Sequence, residues 1–150
     1  MDLPQITWYA KLTSEENFKQ TDLVYAGAIT PNNYLTVDIQ LWNNRWGESD
    51  VETLSDFNIL MYFQDVEDSA LLENCSIFYN GAEVDIEIEN KKALVKFAKA
   101  PILSGKANDG SSLNEDNSGN FISLQFIFTT SSQRLKENDL KHLILEIVPI

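Results

Sequence analysis

The sequence has few of the residues that disulfide bonds and histidine chemistry require, and it has no long apolar run of the kind that forms a membrane helix. Its 150 residues include a single cysteine, Cys75, and a single histidine, His142. One cysteine excludes an internal disulfide, so packing must stabilise the fold. No apolar run approaches the roughly 20 residues that cross a bilayer as a helix. The N-terminal residues show neither a basic region nor a hydrophobic run, so we expect no secretory signal and a cytoplasmic location.

Basic residues are also scarce. The chain has 11 lysines and arginines against 23 acidic residues, a formal net charge of −12. Such a surface repels phosphate backbones and anionic lipid headgroups, so we expect neither nucleic-acid nor membrane binding. A basic partner and a bound cation remain compatible with this charge. The simplest interpretation is a well-solvated acidic surface.

Apolar residues are present in sufficient number for a core, and their spacing predicts strands. The sequence is 43% hydrophobic and 11% aromatic, and at this length we expect one domain over residues 1–150. Two central segments, 34–42 and 57–64, alternate strictly. Their inward positions are Leu35, Val37, Ile39 and Leu41 in the first segment, and Phe57, Ile59, Met61 and Phe63 in the second. A period of two indicates strands with one face on a core.

Further alternating segments and turn residues extend this pattern along the chain. Asn80-Gly81 is a strong hairpin signal, and Asn90-Lys91-Lys92 predicts another turn. The segment 82–88 should bury Ala82, Val84, Ile86 and Ile88 on one face. The nearly continuous apolar run 121–129 predicts a strand that is covered on both sides. These elements predict an all-β fold, an antiparallel β-sandwich of immunoglobulin-like or jelly-roll type with about eight or nine strands and little helix.

Residue patterns typical of catalysis and of metal binding are missing. The acidic loops around Asp65 and Asp109 lack the glycine spacing of a calcium-binding EF-hand, so we expect no metal, although the sequence leaves calcium in these loops open. Cys75 occupies an apolar strand position, which is typical of an inert core thiol. No nucleophile elbow or phosphate-binding loop is present. We therefore expect a non-enzymatic protein without a cofactor.

Aromatic side chains on the outward positions of the central strands carry the most functional information. Either another part of the domain covers them, or they form an exposed patch that binds a partner. The connection that begins at Asn43 is too polar for a core and predicts an exposed loop. The candidate surface for a protein partner or a glycan comprises Tyr34, Trp42, Asn43, Arg45, Trp46 and Tyr62.

About a quarter of the chain carries a family resemblance. Residues 34–47 (YLTVDIQLWNNRWG), 57–63 (FNILMYF) and 67–72 (EDSALL) resemble small structural proteins of phage tails and baseplates. The resemblance implies a non-enzymatic virion subunit that assembles into an oligomer, so the expected location is either the virion or the cytoplasm. It transfers no functional residue to this chain.

Two functions follow from these observations as hypotheses. The first is a structural or interaction protein of the virion type, which associates with itself or with a protein partner through a sheet edge or the aromatic face. The second is a carbohydrate-binding module that stacks sugar rings on Tyr34, Trp42 and Trp46.

Overall fold

Two antiparallel β-sheets packed against each other form the fold, which confirms the predicted all-β sandwich. A computed structural model describes residues 3–12, 15–21, 28–29, 34–45, 51–64, 72–96, 121–129, 138–139 and 143–149. The large sheet has six strands and the small sheet has four. A separate pair of short strands forms a two-stranded sheet.

Twelve strands are described, all of them paired antiparallel. Those of the large sheet, in their order across it, are β2 (Lys19–Gln20), β1 (Ile6–Leu12), β4 (Tyr34–Asn43), β10 (Phe121–Thr129), β6 (Cys75–Tyr79) and β7 (Ala82–Glu83). Those of the small sheet, in their order, are β12 (Leu143–Pro149), β5 (Phe57–Phe63), β9 (Lys92–Lys96) and β8 (Ile86–Glu89). The remaining pair is β3 (Ala28–Ile29) and β11 (Asn138–Asp139).

The core lies between the two sheets and uses the residues that the alternation selects. The large sheet contributes inward residues such as Val37, Ile39 and Leu41 of β4, and the small sheet contributes Phe57 and Met61 of β5. All five are completely buried. The predicted inward faces of the two central strands are therefore confirmed, and Leu35 packs at the margin of the same cluster.

The two central strands belong to different sheets, which the alternation alone does not reveal. β4 pairs with β1 and β10 in the large sheet, whereas β5 pairs with β9 and β12 in the small sheet. The chain therefore crosses from one sheet to the other between them. Since the inner faces of a sandwich face each other, the outer faces of β4 and β5 lie on opposite sides of the molecule.

The segment predicted as one strand over 82–88 divides between the sheets. β7 pairs with β6 in the large sheet, and β8 pairs with β9 in the small sheet. The chain crosses at Val84 and Asp85: the Val84 amide donates to the Ile77 carbonyl (2.8 Å), and the Asp85 carbonyl accepts from the Lys96 amide (3.2 Å). Ala82 and Ile88 are exposed as a result, so the prediction that this segment forms a single buried face is wrong.

Both predicted hairpins form, and they use the same backbone geometry. Asn80 and Gly81 have φ values of 51° and 79°, and Asn90 and Lys91 have values of 52° and 63°. Positive φ at both central residues defines the type I′ turn, whose twist matches paired strands. Glycine adopts this conformation without cost, whereas the Cβ atom of a lysine disfavours it.

Replacing Lys91 by glycine should therefore stabilise the protein. We expect Lys91→Gly to raise the free energy of unfolding by about 0.5–1 kcal/mol, because relief of the left-handed strain exceeds the added entropy of the unfolded chain. The melting temperature should rise by about 1–4 °C. Thermal unfolding monitored by circular dichroism measures this shift.

The other hairpin supplies the matched control. A Cβ atom at Gly81 would meet no atom within 4 Å, so the cost of substitution there is purely conformational. Gly81→Lys should lower the stability by a similar amount, about 1 kcal/mol. If the two substitutions shift stability in the same direction, the turn-strain argument is wrong.

Candidate functional site

The candidate surface residues do not form one surface. Tyr34, Trp42, Asn43 and Arg45 lie on or directly after β4 in the large sheet, whereas Tyr62 lies on β5 in the small sheet. Trp42 and Tyr62 therefore occupy outer faces on opposite sides of the sandwich. The prediction of a single aromatic face is wrong for this reason. Trp46 lies outside the described residues.

Trp42 is enclosed by its neighbours instead of being exposed. It has no exposed surface. Its ring stacks on Phe121 at a centroid distance of 4.2 Å and an interplanar angle of 18°. The Arg45 guanidinium carbon lies 4.6 Å from the Trp42 ring centroid and 5.9 Å from that of Tyr9. We call Tyr9, Gln40, Trp42, Arg45 and Phe121 the Trp42 cluster. With a ring on one face and a guanidinium on the other, Trp42 offers no free face to a ligand.

Hydrogen bonds and backbone geometry explain why polar residues are buried at the end of β4. The Asn43 side chain accepts from the Gln5 amide (3.0 Å) and donates to the Glu52 carbonyl (2.9 Å). Asn44 has a φ of 54°, and its amide donates to the Gln5 carbonyl (2.8 Å). Asn43, Asn44 and Arg45 are at most 5% exposed. The prediction of an exposed loop is therefore wrong for these residues, because side-chain bonds satisfy the backbone there.

Trp42 also donates a hydrogen bond within its cluster. Its indole Nε1 donates to Gln40 Oε1 (3.2 Å), two residues earlier on the same face of β4. Gln40 is itself 8% exposed. The Trp42 cluster is thus a second, smaller packed layer on the outer face of the large sheet. Trp42, Asn43 and Arg45 stabilise the fold and are not available as a docking surface.

Tyr34 and Tyr62 remain accessible, in separate places. Tyr34, at the start of β4, is 68% exposed. Tyr62 is half-buried, its hydroxyl donates to Glu146 Oε1 (2.8 Å), and Lys92 Nζ lies 4.5 Å from its ring centroid. The hydrogen bond to the Glu146 carboxylate raises the pKa of Tyr62 above its ordinary value. Tyr62 therefore joins β5 to its neighbours β12 and β9.

A groove on the outer face of the large sheet is a concave feature that the sequence interpretation missed. It has a volume of about 500 Å³ and lies over β4, β10 and β6. The lining includes Phe18, Asp38, Phe78, Asn80, Ser123 and Gln125. Its floor includes β10, which was predicted to be covered on both sides. Ser123 and Gln125 of β10 are exposed, so that prediction is wrong.

A signal for this open face was present in the sequence. Within the run 121–129, polar residues occur at three alternate positions, Ser123, Gln125 and Thr129. Their neighbours Ile122, Leu124 and Phe126 are buried in the core. The period of two was therefore intact, but the apolar residues Phe121 and Ile127 on the outer face obscured it.

The edge strand β12 is another candidate site. It has seven residues and pairs with β5 along its full length. In the part of the chain that the structure describes, no strand pairs with its other side. Ile144 and Val148 point to the outer face of the small sheet together with Glu146 and Tyr62.

Cys75 belongs to the core, and it lacks the features of a reactive thiol. It is 9% exposed, and burial raises its pKa to about 12. The thiolate, which is the nucleophilic form, is therefore scarce at neutral pH. His142 lies outside the described residues. The residues that the structure describes contain no cluster of three or more histidine, cysteine or acidic side chains able to hold a metal ion. The acidic loops around Asp65 and Asp109 lie outside that part of the chain.

Among the described segments, no helix has the length and apolar character required to cross a membrane. Comparison with known proteins finds no family whose pattern matches the chain and no curated protein that matches it.

Proposed function

We propose that this chain is a non-enzymatic structural protein that assembles with further copies of itself by strand addition at β12. The resemblance of residues 34–72 to phage tail and baseplate proteins supports a role as a virion subunit. The observation that carries the proposal is the long, apolar outer edge of the small sheet. Strand addition joins subunits through main-chain hydrogen bonds and needs no catalytic group.

The four edge strands of the large and small sheets differ in how well they are protected. β2 and β7, at the edges of the large sheet, have two residues each. β8 has four residues, of which Glu87 and Glu89 are exposed acids. β12 has seven residues and only one charge, Glu146. Natural edge strands are usually short or charged, because an open edge presents unpaired N–H and C=O groups to other chains. By this criterion β12 is the edge suited to assembly.

Because the chain has a large negative net charge, the salt dependence of association distinguishes self-association from binding of a basic partner. Two copies, each with a net charge of −12, repel each other. Salt screens this repulsion over roughly 8 Å at physiological ionic strength. Self-association through β12 should therefore strengthen as salt is added. Association with a basic partner would instead weaken, because salt screens its attraction to the acidic chain.

Solution mass is the primary measurement. Light scattering over a range of concentrations should show species heavier than the 17.0 kDa monomer, in proportions that rise with concentration and salt. Val148→Lys places a charge on the outer face of β12 and should shift the protein toward the monomer, because edge lysines oppose strand addition. Hydrogen exchange should show the β12 amides becoming protected in the assembled fraction.

The matched control also introduces a lysine at an apolar residue. Leu3, before β1, is 77% exposed, and Leu3→Lys should leave the mass distribution unchanged. A strict monomer at high concentration would refute the proposal. Equal effects of Val148→Lys and Leu3→Lys would refute the assignment to β12.

The carbohydrate-binding hypothesis for the surface around Trp42 loses its central residue, because Trp42 is buried. Trp42 lies between Phe121 and Arg45, so no sugar ring can stack on it in this conformation. Of the remaining two aromatics, Tyr34 is exposed and Trp46 lies outside the described residues. One exposed tyrosine is a weak basis for glycan recognition, so we do not propose that surface as a sugar site.

A further inference from the structure

We infer that the groove on the large sheet binds a neutral oligosaccharide through Phe18, Phe78 and the polar side chains between them. This site is separate from the β12 edge, and the inference does not depend on assembly. It also differs in location from the aromatic surface around Trp42.

A single cross-strand row forms the floor of the groove. In register, Lys11 of β1 lies beside Asp38 of β4, Asp38 beside Gln125 of β10, and Gln125 beside Phe78 of β6. Such neighbours share one face of the sheet. The floor strands β4, β10 and β6 extend across about 10 Å, two spacings of roughly 4.8 Å, and Lys11 lies beyond the floor on β1. The floor is thus elongated, as an oligomeric ligand requires.

The Phe18 wall is held in place by contacts of the segment before β2. The Glu15 amide donates to the Leu12 carbonyl (2.9 Å), and Glu15 Oε1 accepts from the Leu12 amide (2.9 Å). Lys19 Nζ pairs with Glu15 Oε2 at 3.5 Å, and Lys19 lies on β2, which pairs with β1. The chain on both sides of Phe18 is therefore held in place, which limits the entropy that this segment loses when a ligand binds.

The opposite end of the groove is the β6–β7 hairpin. Phe78 lies on the outer face of β6, and the type I′ turn at Asn80 and Gly81 follows directly. Phe78 and Phe18 are both partly exposed. The groove thus combines aromatic surface with amide, hydroxyl and carboxylate groups, the composition of a site that orients a polar ligand.

The charges of the groove favour a neutral ligand. Among the lining residues named above, Asp38 is the charged one. Lys11 Nζ lies 4.0 Å from Asp38 Oδ2. The pair nearly cancels locally, so the groove neither attracts an anion nor presents an isolated carboxylate to a cation. The chain's net charge of −12 further opposes anionic ligands. The side chains of Asn80, Ser123 and Gln125 can each donate and accept hydrogen bonds. They therefore match the neighbouring hydroxyl groups of a sugar, which also do both.

Stacking and hydrogen bonding together specify the ligand class. The carbon–hydrogen faces of a sugar ring pack on phenylalanine rings, and its hydroxyl groups meet the polar floor. A peptide would expose backbone groups that an open strand edge satisfies better than this flat floor. The observations therefore favour an uncharged oligosaccharide over a peptide.

The test uses an array of neutral hexose and N-acetylhexosamine oligosaccharides, their sulfated counterparts and a lysine-rich peptide. We expect binding to a subset of the neutral oligosaccharides that changes little with ionic strength. For a sugar that binds, calorimetry should show Phe18→Ala and Phe78→Ala each weakening the affinity about two- to tenfold. Gln125→Ala, at an exposed position on the floor, should also weaken it.

Tyr34→Ala provides the matched control. Tyr34 is an exposed aromatic on the same strand as Asp38 but outside the groove, so its removal should leave the affinity unchanged. Circular dichroism of each variant checks that the fold is retained. An array without neutral sugar binding overturns the inference, as does preferential binding of the sulfated sugars or the peptide. So does sugar binding that Phe18→Ala, Phe78→Ala and Gln125→Ala all leave intact.

Discussion

Trp42→Ala is expected to lower the free energy of unfolding by about 3–5 kcal/mol, because it empties a fully buried aromatic site. It removes the stack on Phe121, the contact with the Arg45 guanidinium and the bond to Gln40. It also leaves a buried arginine without the aromatic face that helps to offset its desolvation. Since small domains are stable by about 5–15 kcal/mol, this loss is a large share of the total.

Urea unfolding followed by circular dichroism measures this effect without relying on the fluorescence of the tryptophan removed. Tyr34→Ala is the control on the same strand, and its effect should lie within about 0.5 kcal/mol, as is usual for exposed residues. If Trp42→Ala and Tyr34→Ala have equal effects, Trp42 is a surface residue after all. In that case the carbohydrate hypothesis at Trp42 regains support.

Phe128→Ala should produce a loss of similar size, about 3–5 kcal/mol, by a different route. Phe128 of β10 is completely buried, and its ring centroid lies 5.6 Å from that of Phe63 in β5 at an interplanar angle of 57°. This pair joins the large and small sheets. The substitution therefore opens a cavity at the interface between the sheets, whereas Trp42→Ala opens one on an outer face.

A graded series distinguishes cavity formation from a general intolerance of change. Phe128→Leu retains most of the side-chain volume and should cost less than half as much as Phe128→Ala. The two substitutions Phe128→Ala and Phe63→Ala should be non-additive, because each removes the same ring contact. Additive effects in urea unfolding would show that the rings stabilise the sheets independently.

The sequence predicted the core more reliably than it predicted the surface. Alternation correctly placed Val37, Ile39, Phe57 and Met61 inside, because burial on one face of a strand imposes the period of two. The same alternation placed Trp42 on the outward side, which is also correct. It could not show that Arg45 and Phe121 cover that side, because the covering residues come from other parts of the chain.

Sheet membership was likewise beyond the reach of a local pattern. The strands β4 and β5 share the same alternation of inward apolar residues but lie in different sheets, and β7 and β8 separate within a single alternating run. These outcomes depend on long-range pairing. The groove was missed for a related reason: Phe18 and Phe78 are 60 positions apart in the numbering, and only the arrangement of β4, β10 and β6 places them around one floor.

The position of two late strands has a consequence for how the chain acquires its structure. β10 lies between β4 and β6, and β12 pairs with β5, so both sheets need partners that leave the ribosome long after the strands they join. Such high contact order places folding on the order of milliseconds to seconds. During synthesis, β5 therefore leaves the ribosome well before its partner β12, and its apolar face is exposed in the nascent chain. Such exposed surface promotes aggregation, which chaperones or dilute conditions counteract.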